Sequence, residues 1–123
     1  MARITNPIYT ATEKAYLEFV LRHAFPERDL VLDQLNSMGP EDLTRDISPY
    51  CWIMEFRPNG IHGGHGPMRP YIWIEVLHGD GVAPTEFTLY ERNGVVFELE
   101  IYNADSSALD SDTMMDGEIL IRE

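Results

Sequence analysis

The hydrophobic period of this chain changes once along its length. Up to about residue 37 apolar residues recur at helical spacing, and from Asp46 onward they alternate. Strand side chains point to opposite faces in turn, whereas a helix repeats about every 3.6 residues, so a segment patterned for one cannot bury its apolar set as the other. Helical pattern followed by strand pattern predicts an α+β architecture: an N-terminal helical hairpin packed on one face of a mainly antiparallel meander sheet of four to five strands. At 123 residues, one domain is expected over 1–123, with the hairpin at about 10–37 and the sheet at about 49–122.

Within the helical part, Thr10-Ala11-Thr12-Glu13 matches a capping box, and Tyr16, Leu17, Val20, Leu21 and Ala24 supply one apolar stripe. Phe25-Pro26 predicts the end of the first helix, because the residue before proline is pushed out of the helical region. Pro26 then suits the first turn of a second helix, with Glu27 and Asp29 at its positive end and Leu30, Val31 and Leu35 on its buried side. Asn36-Ser37-Met38-Gly39-Pro40 predicts its end.

Four strands follow from alternation. Tyr50 to Arg57 places Trp52, Met54 and Phe56 on one face. Tyr71 to Leu77 is apolar on both faces except at Glu75, which predicts an interior position. Thr85 to Glu91 and Val95 to Tyr102 form a hairpin. A regular two-residue Asn93-Gly94 turn would set Leu89 against Glu98 and Phe87 against Glu100. Directly opposite residues share a face, so that register would put carboxylates among core side chains. A three-residue loop Arg92-Asn93-Gly94, with Gly94 left-handed as a bulge, pairs Leu89 with Phe97 and Phe87 with Leu99 instead. It gathers Glu86, Thr88, Glu98 and Glu100 on the other face, which Glu75 or a neighbour is expected to share. A fifth short strand is expected at Glu118–Arg122, after an acidic loop carrying Asp105, Asp110, Asp112 and Asp116.

Charge narrows the partner class. Twenty-one acidic residues stand against nine basic ones, for a net charge of -12, yet 44% of the chain is hydrophobic, so a folded acidic domain is expected and not an acidic tail. No basic stripe exists to contact phosphates, and no apolar run approaches a membrane span, so nucleic acid and membrane are not expected partners. Such a field draws basic partners. Absence of an apolar core near Met1 and the single Cys51, read as a buried inert thiol, point to a cytoplasmic protein.

Catalytic signatures are lacking. The Ile61–Pro67 segment brings His62 and His65 within three residues of each other, with His78 as a conceivable third ligand, but its glycines form neither a phosphate loop nor a dinucleotide fingerprint. Asp110, Asp112 and Asp116 have the wrong spacing for a calcium loop. No Gly-x-Ser-x-Gly elbow occurs. The chain is therefore expected to be no enzyme and to use no cofactor. A small metal-binding protein or metal-dependent enzyme using His62 and His65 with nearby carboxylates is the alternative. Of the aromatic residues, Tyr90 and Tyr102 fall on the polar phase of their strands and are expected to face outward.

Four segments carry a resemblance: Glu13–Phe19, Phe25-Pro26-Glu27-Arg28-Asp29-Leu30, Ile53-Met54-Glu55-Phe56, and Phe97–Asp105 with its Glu98-Leu99-Glu100-Ile101-Tyr102 box. In these the chain resembles a family of small uncharacterised bacterial domains, immunity-protein-like, with a helical hairpin followed by a meander sheet. The resemblance implies no catalytic residues. It implies a protein that binds and blocks a cognate, basic bacterial toxin domain. The contact surface expected for such a role is Glu86, Glu98, Glu100 and Tyr102, with Asp105, Asp110, Asp112 and Asp116 contributing. A structural subunit of a homo-oligomer is a further alternative, since fold does not fix function.

Overall fold

A computed structural model describes residues 3–60 and 66–122 of the chain. The chain is α+β: two helices at the N-terminus and a six-stranded antiparallel open sheet. Helix α1 spans Ala11–Leu21. Its capping box forms as expected: the Glu13 N–H donates to Thr10 Oγ1 at 3.1 Å and the Thr10 N–H to Glu13 Oε1 at 2.8 Å. The helix ends at Leu21, four residues before Phe25, so proline does not terminate it. Helix α2 spans Arg28–Ser37. Its N-cap, Glu27, is left-handed at φ 67°, and Pro26 lies outside the helix rather than in its first turn. Val31 and Leu35 are buried as expected, but Leu30 is exposed.

The last carbonyls of α2 have no partners within the helix, and the N-terminal segment supplies them. Asn6 Nδ2 donates to the carbonyls of Leu35 and Met38, and the Tyr9 hydroxyl donates to Leu35 at 2.9 Å. Residues 3–9 are thereby fixed to the helical layer.

The strands are β1 (Leu43–Ile47), β2 (Cys51–Phe56), β3 (Met68–Leu77), β4 (Thr85–Arg92), β5 (Val95–Asn103) and β6 (Glu118–Arg122). Their spatial order is β1-β2-β5-β4-β3-β6. Two expectations are corrected by this order. The strands number six because Leu43–Ile47 pairs with β2; only Leu43 of this strand is buried, so no alternation marks it. The sheet is no simple meander, because β2 lies beside β5 and the connection from β2 to β3 passes over two strands. β3 is interior, as expected, between β4 and β6.

Both helices pack on one face. Leu17, Val20 and Leu21 of α1 and Val31 and Leu35 of α2 join Met54, Phe56, Ile72, Ile74, Val76, Phe87, Leu89, Leu99 and Ile101 in the core. Rings fix the contact: Tyr16 meets Trp52 edge-on at 5.0 Å between centroids, and Phe19 meets Phe87 at 4.8 Å. At the β1 end the buried Glu13 carboxylate is met by the Arg45 guanidinium, whose second nitrogen also donates to the Ile8 carbonyl at 3.0 Å. That pair closes the inner face at its margin. No described helix is long and apolar enough to cross a membrane.

Candidate functional site: the outer face of the sheet

The β4–β5 hairpin decides what the uncovered face carries. Asn93 and Gly94 both have positive φ, 53° and 80°, the signature of a two-residue type I′ turn. That turn by itself would mismatch the faces. The mismatch is removed inside β5: Tyr90 pairs with Glu98 and Glu91 with Val96, leaving Phe97 as an extra, unpaired residue. The bulge therefore sits at Phe97 and not in the loop, and Leu89 faces Leu99 and Phe87 faces Ile101. The expected separation of faces holds with this different device and a register shifted by two residues.

Glu86, Thr88, Glu98, Glu100 and Tyr102 accordingly share the outer face. Neighbouring strands extend the patch. Glu55 of β2 lies opposite Glu98, Ile53 opposite Glu100 and Cys51 opposite Tyr102. On the other side Trp73 lies opposite Thr88 and Glu75 opposite Glu86, and β6 adds Leu120 beside Glu75 and Arg122 beside Trp73. Five carboxylates thus stand among Trp73, Tyr90, Tyr102, Ile53 and Leu120.

These carboxylates are not equally solvated. Glu98 is 8% exposed and Glu86 7%. Glu86 Oε1 accepts from Trp73 Nε1 at 2.7 Å, which meets the demand that a buried polar group be partnered. Glu75 faces Arg122 at 3.6 Å. Among the described residues no cation is in contact with Glu98. Burial first, then a hydrogen bond and repulsion from Glu100, then repulsion from Glu55, push its carboxyl up to about 7, with Arg92 acting weakly the other way. The Arg92 guanidinium is instead stacked 4.0 Å over the Phe97 ring. Glu98 therefore keeps its proton up to near neutrality. The Tyr90 and Tyr102 hydroxyls are raised too, by burial and by these same carboxylates.

Cys51 is half-buried on this outer face rather than in the core. Burial and the nearby Glu100, Asp46 and Glu98 raise its thiol, which keeps it protonated and a poor nucleophile.

The four aspartates expected to contribute are not brought to this patch. Asp105, Asp110, Asp112 and Asp116 are exposed, and Asp105, Asp110 and Asp116 rim a cleft of about 580 Å3 at the end of the sheet, with His78, Thr85, Asn103 and Met114. Their segment is anchored on the helix side: the Leu109 N–H donates to the Pro49 carbonyl at 2.7 Å, and Met114 enters the core. Two of the carboxylates hold local turns. Asp105 Oδ1 accepts from the Ser107 N–H and hydroxyl, which lowers its carboxyl, and Asp110 Oδ1 accepts from the Asp112 N–H.

His62 and His65 lie outside the described residues. His78 is bonded through Nδ1 to the Asp116 carbonyl and through Nε2 to Thr85 Oγ1, both at 2.8 Å. Among the described residues no group of three or more His, Cys, Asp or Glu side chains could hold a metal ion.

Glu86, Glu98 and Glu100 share their face with Glu75, as expected, whereas Glu55, Ile53 and Leu120 beside them were not anticipated. Glu55 was legible as the outward partner of Ile53, between the inward Met54 and Phe56. Nothing in the sequence showed that β2 adjoins β5, so its nearness to Glu98 was not. Comparison with protein-family models, with curated proteins and with solved structures gives no match.

Proposed function

We propose that the chain is a non-enzymatic binding protein whose outer sheet face docks a basic protein partner, and that it acts as an immunity protein blocking a cognate bacterial toxin in the cytoplasm. One observation carries this reading: Glu55, Glu98 and Glu100 are crowded on the face opposite the helices, with Glu98 nearly buried and, among the described residues, no cation in contact with it. Carboxylates opposite one another across strands repel, so the isolated fold bears a cost that a partner's Arg or Lys would remove. The aromatic rings beside them suit the centre of an interface, where Trp and Tyr anchor contacts at low entropic cost. The net charge of -12 would steer a basic partner toward this face and set the docking register. The family resemblance in the Phe25–Leu30 and Phe97–Asp105 segments supports the choice of a toxin as partner.

The test compares the native chain with an E98K/E100K variant. Each is used to capture partners from its native lysate, and any captured protein is then expressed alone and with the chain. The reading predicts a basic partner that is held by the native chain, lost by the variant, and toxic unless the chain is co-expressed. Equal capture by both proteins removes the outer face from the model. A captured partner without toxicity removes the immunity role.

A further inference from the structure

The two edges of the sheet differ in a way that bears on self-association. A free strand edge is a template for pairing with another chain, and proteins commonly block it with an inward-pointing charge. β1 is blocked in this manner: Arg45 lies on its inner face, tied to Glu13. Antiparallel pairing of Leu43–Ile47 with a copy of itself would set Arg45 against Arg45.

β6 has no such device. It pairs with β3 along one side, and among the described residues its other backbone groups form no hydrogen bond to another segment. Leu120 is 38% exposed and Ile121 48%. Its sequence, Glu118-Ile119-Leu120-Ile121-Arg122, is complementary to its own reverse. An antiparallel pair centred on Leu120 sets Glu118 against Arg122 twice, Ile119 against Ile121 twice, and Leu120 against itself. No other register pairs all five residues. Glu118, Leu120 and Arg122 share the outer face and Ile119 and Ile121 the inner face, so a twofold axis perpendicular to the sheet keeps like faces together. Arg122 remains available for this contact: it meets Glu75 with a single nitrogen at 3.6 Å and is half exposed, and a guanidinium has five donors.

We propose that the chain forms a twofold homodimer by antiparallel pairing of β6 with β6 of a second copy, which joins two six-stranded sheets into one. The contact is isologous, as a twofold interface requires, and it closes the exposed edge. Strand pairing alone buries little surface, so the dimer exchanges with monomer in a concentration-dependent equilibrium. The two outer faces become one continuous acidic surface, and dimer formation does not depend on the toxin-blocking role.

Sedimentation equilibrium of the full chain over a wide concentration range tests this. The mass is expected to rise with concentration from 14.1 kDa toward twice that value. E118R, which opposes like charges at both ends of the contact, is expected to weaken the dimer by about tenfold, and R122E added to it is expected to restore the dimer. L120K, which opposes two cations at the axis, is a second disrupting variant. Circular dichroism of each variant verifies that it is folded. A native chain that stays monomeric throughout overturns the proposal. So does a dimer insensitive to E118R and L120K, or one that the double variant fails to restore.

Discussion

Replacing Glu98 with glutamine should stabilise the protein at high pH and leave it unchanged at low pH. In the fold the Glu98 carboxyl is raised from the ordinary 4.5 to about 7, chiefly by burial and then by Glu100. Between those two values the folded state holds a proton that the unfolded chain releases, so stability falls as pH rises through this window. The full cost of ionising the group in the fold is reached above about pH 7. A tenfold change in proton affinity is worth about 1.4 kcal/mol, so the upper bound is about 3 kcal/mol. Residual water contact screens part of this cost, so an effect of about 2 kcal/mol is expected. Glutamine keeps the shape and removes the charge. Urea unfolding at about pH 4, below both values, should then give nearly the same stability for both proteins, and at about pH 8 E98Q should be the more stable by that amount. Parallel profiles across the whole range would show that Glu98 ionises in the fold as freely as in water, and the account of a strained carboxylate would fail. A gain in stability accompanied by a loss of partner capture would identify Glu98 as a residue kept for binding at the expense of the fold.

Further substitutions test the frame around this face. Arg45→Ala strands the buried Glu13 carboxylate and should cost about 3 kcal/mol in urea unfolding near neutral pH. Glu13 is held below its usual range with the Arg45 hydrogen bond as the leading favourable cause against burial, so this contribution is present above about pH 4.5 and disappears as acid protonates the folded carboxylate. Gly94→Ala meets no atom within 4 Å but must adopt φ +80°, so the expected loss is about 1 kcal/mol from backbone strain alone. Gly117→Ala would place a Cβ 2.1 Å from the Leu77 carbonyl oxygen. It should cost more than Gly94→Ala and weaken hydrogen-exchange protection in β6 specifically; equal costs would mean that β6 docks without this close approach.

What the sequence disclosed followed from local chemistry. The Thr10–Glu13 cap is a contact three residues long. The grouping of Glu86, Glu98 and Glu100 needed only the rule that facing residues share a side, and it held although the turn and the bulge were assigned differently. The misses were long-range. β1 is a strand because β2 offers it an edge, and its own pattern of one buried and four exposed residues has no period to read. The neighbours of Glu98 depend on β2 lying beside β5, which no spacing within either segment reports. Leu30 was read as buried because it adjoins Val31 on an apolar run, but α2 starts at Arg28 and turns that position to solvent. The acidic stretch from Asp105 to Asp116 is held on the helix side by Leu109 and Met114, a placement that its own residue spacing does not report.

The strand order also governs the sequence of events in folding. β1 and β2 form a local hairpin, and β3, β4 and β5 form a local meander, but the seam that joins them is β2 against β5, between residues about 45 apart. Both helices rest on side chains contributed from the two sides of that seam. During synthesis, therefore, the first 60 residues leave the ribosome with half a floor beneath them. Tyr16 can meet Trp52, but Phe19 must wait for Phe87. Until β2 meets β5, Glu55 and Glu98 are apart, so the acidic face is a product of long-range closure and not of any one hairpin.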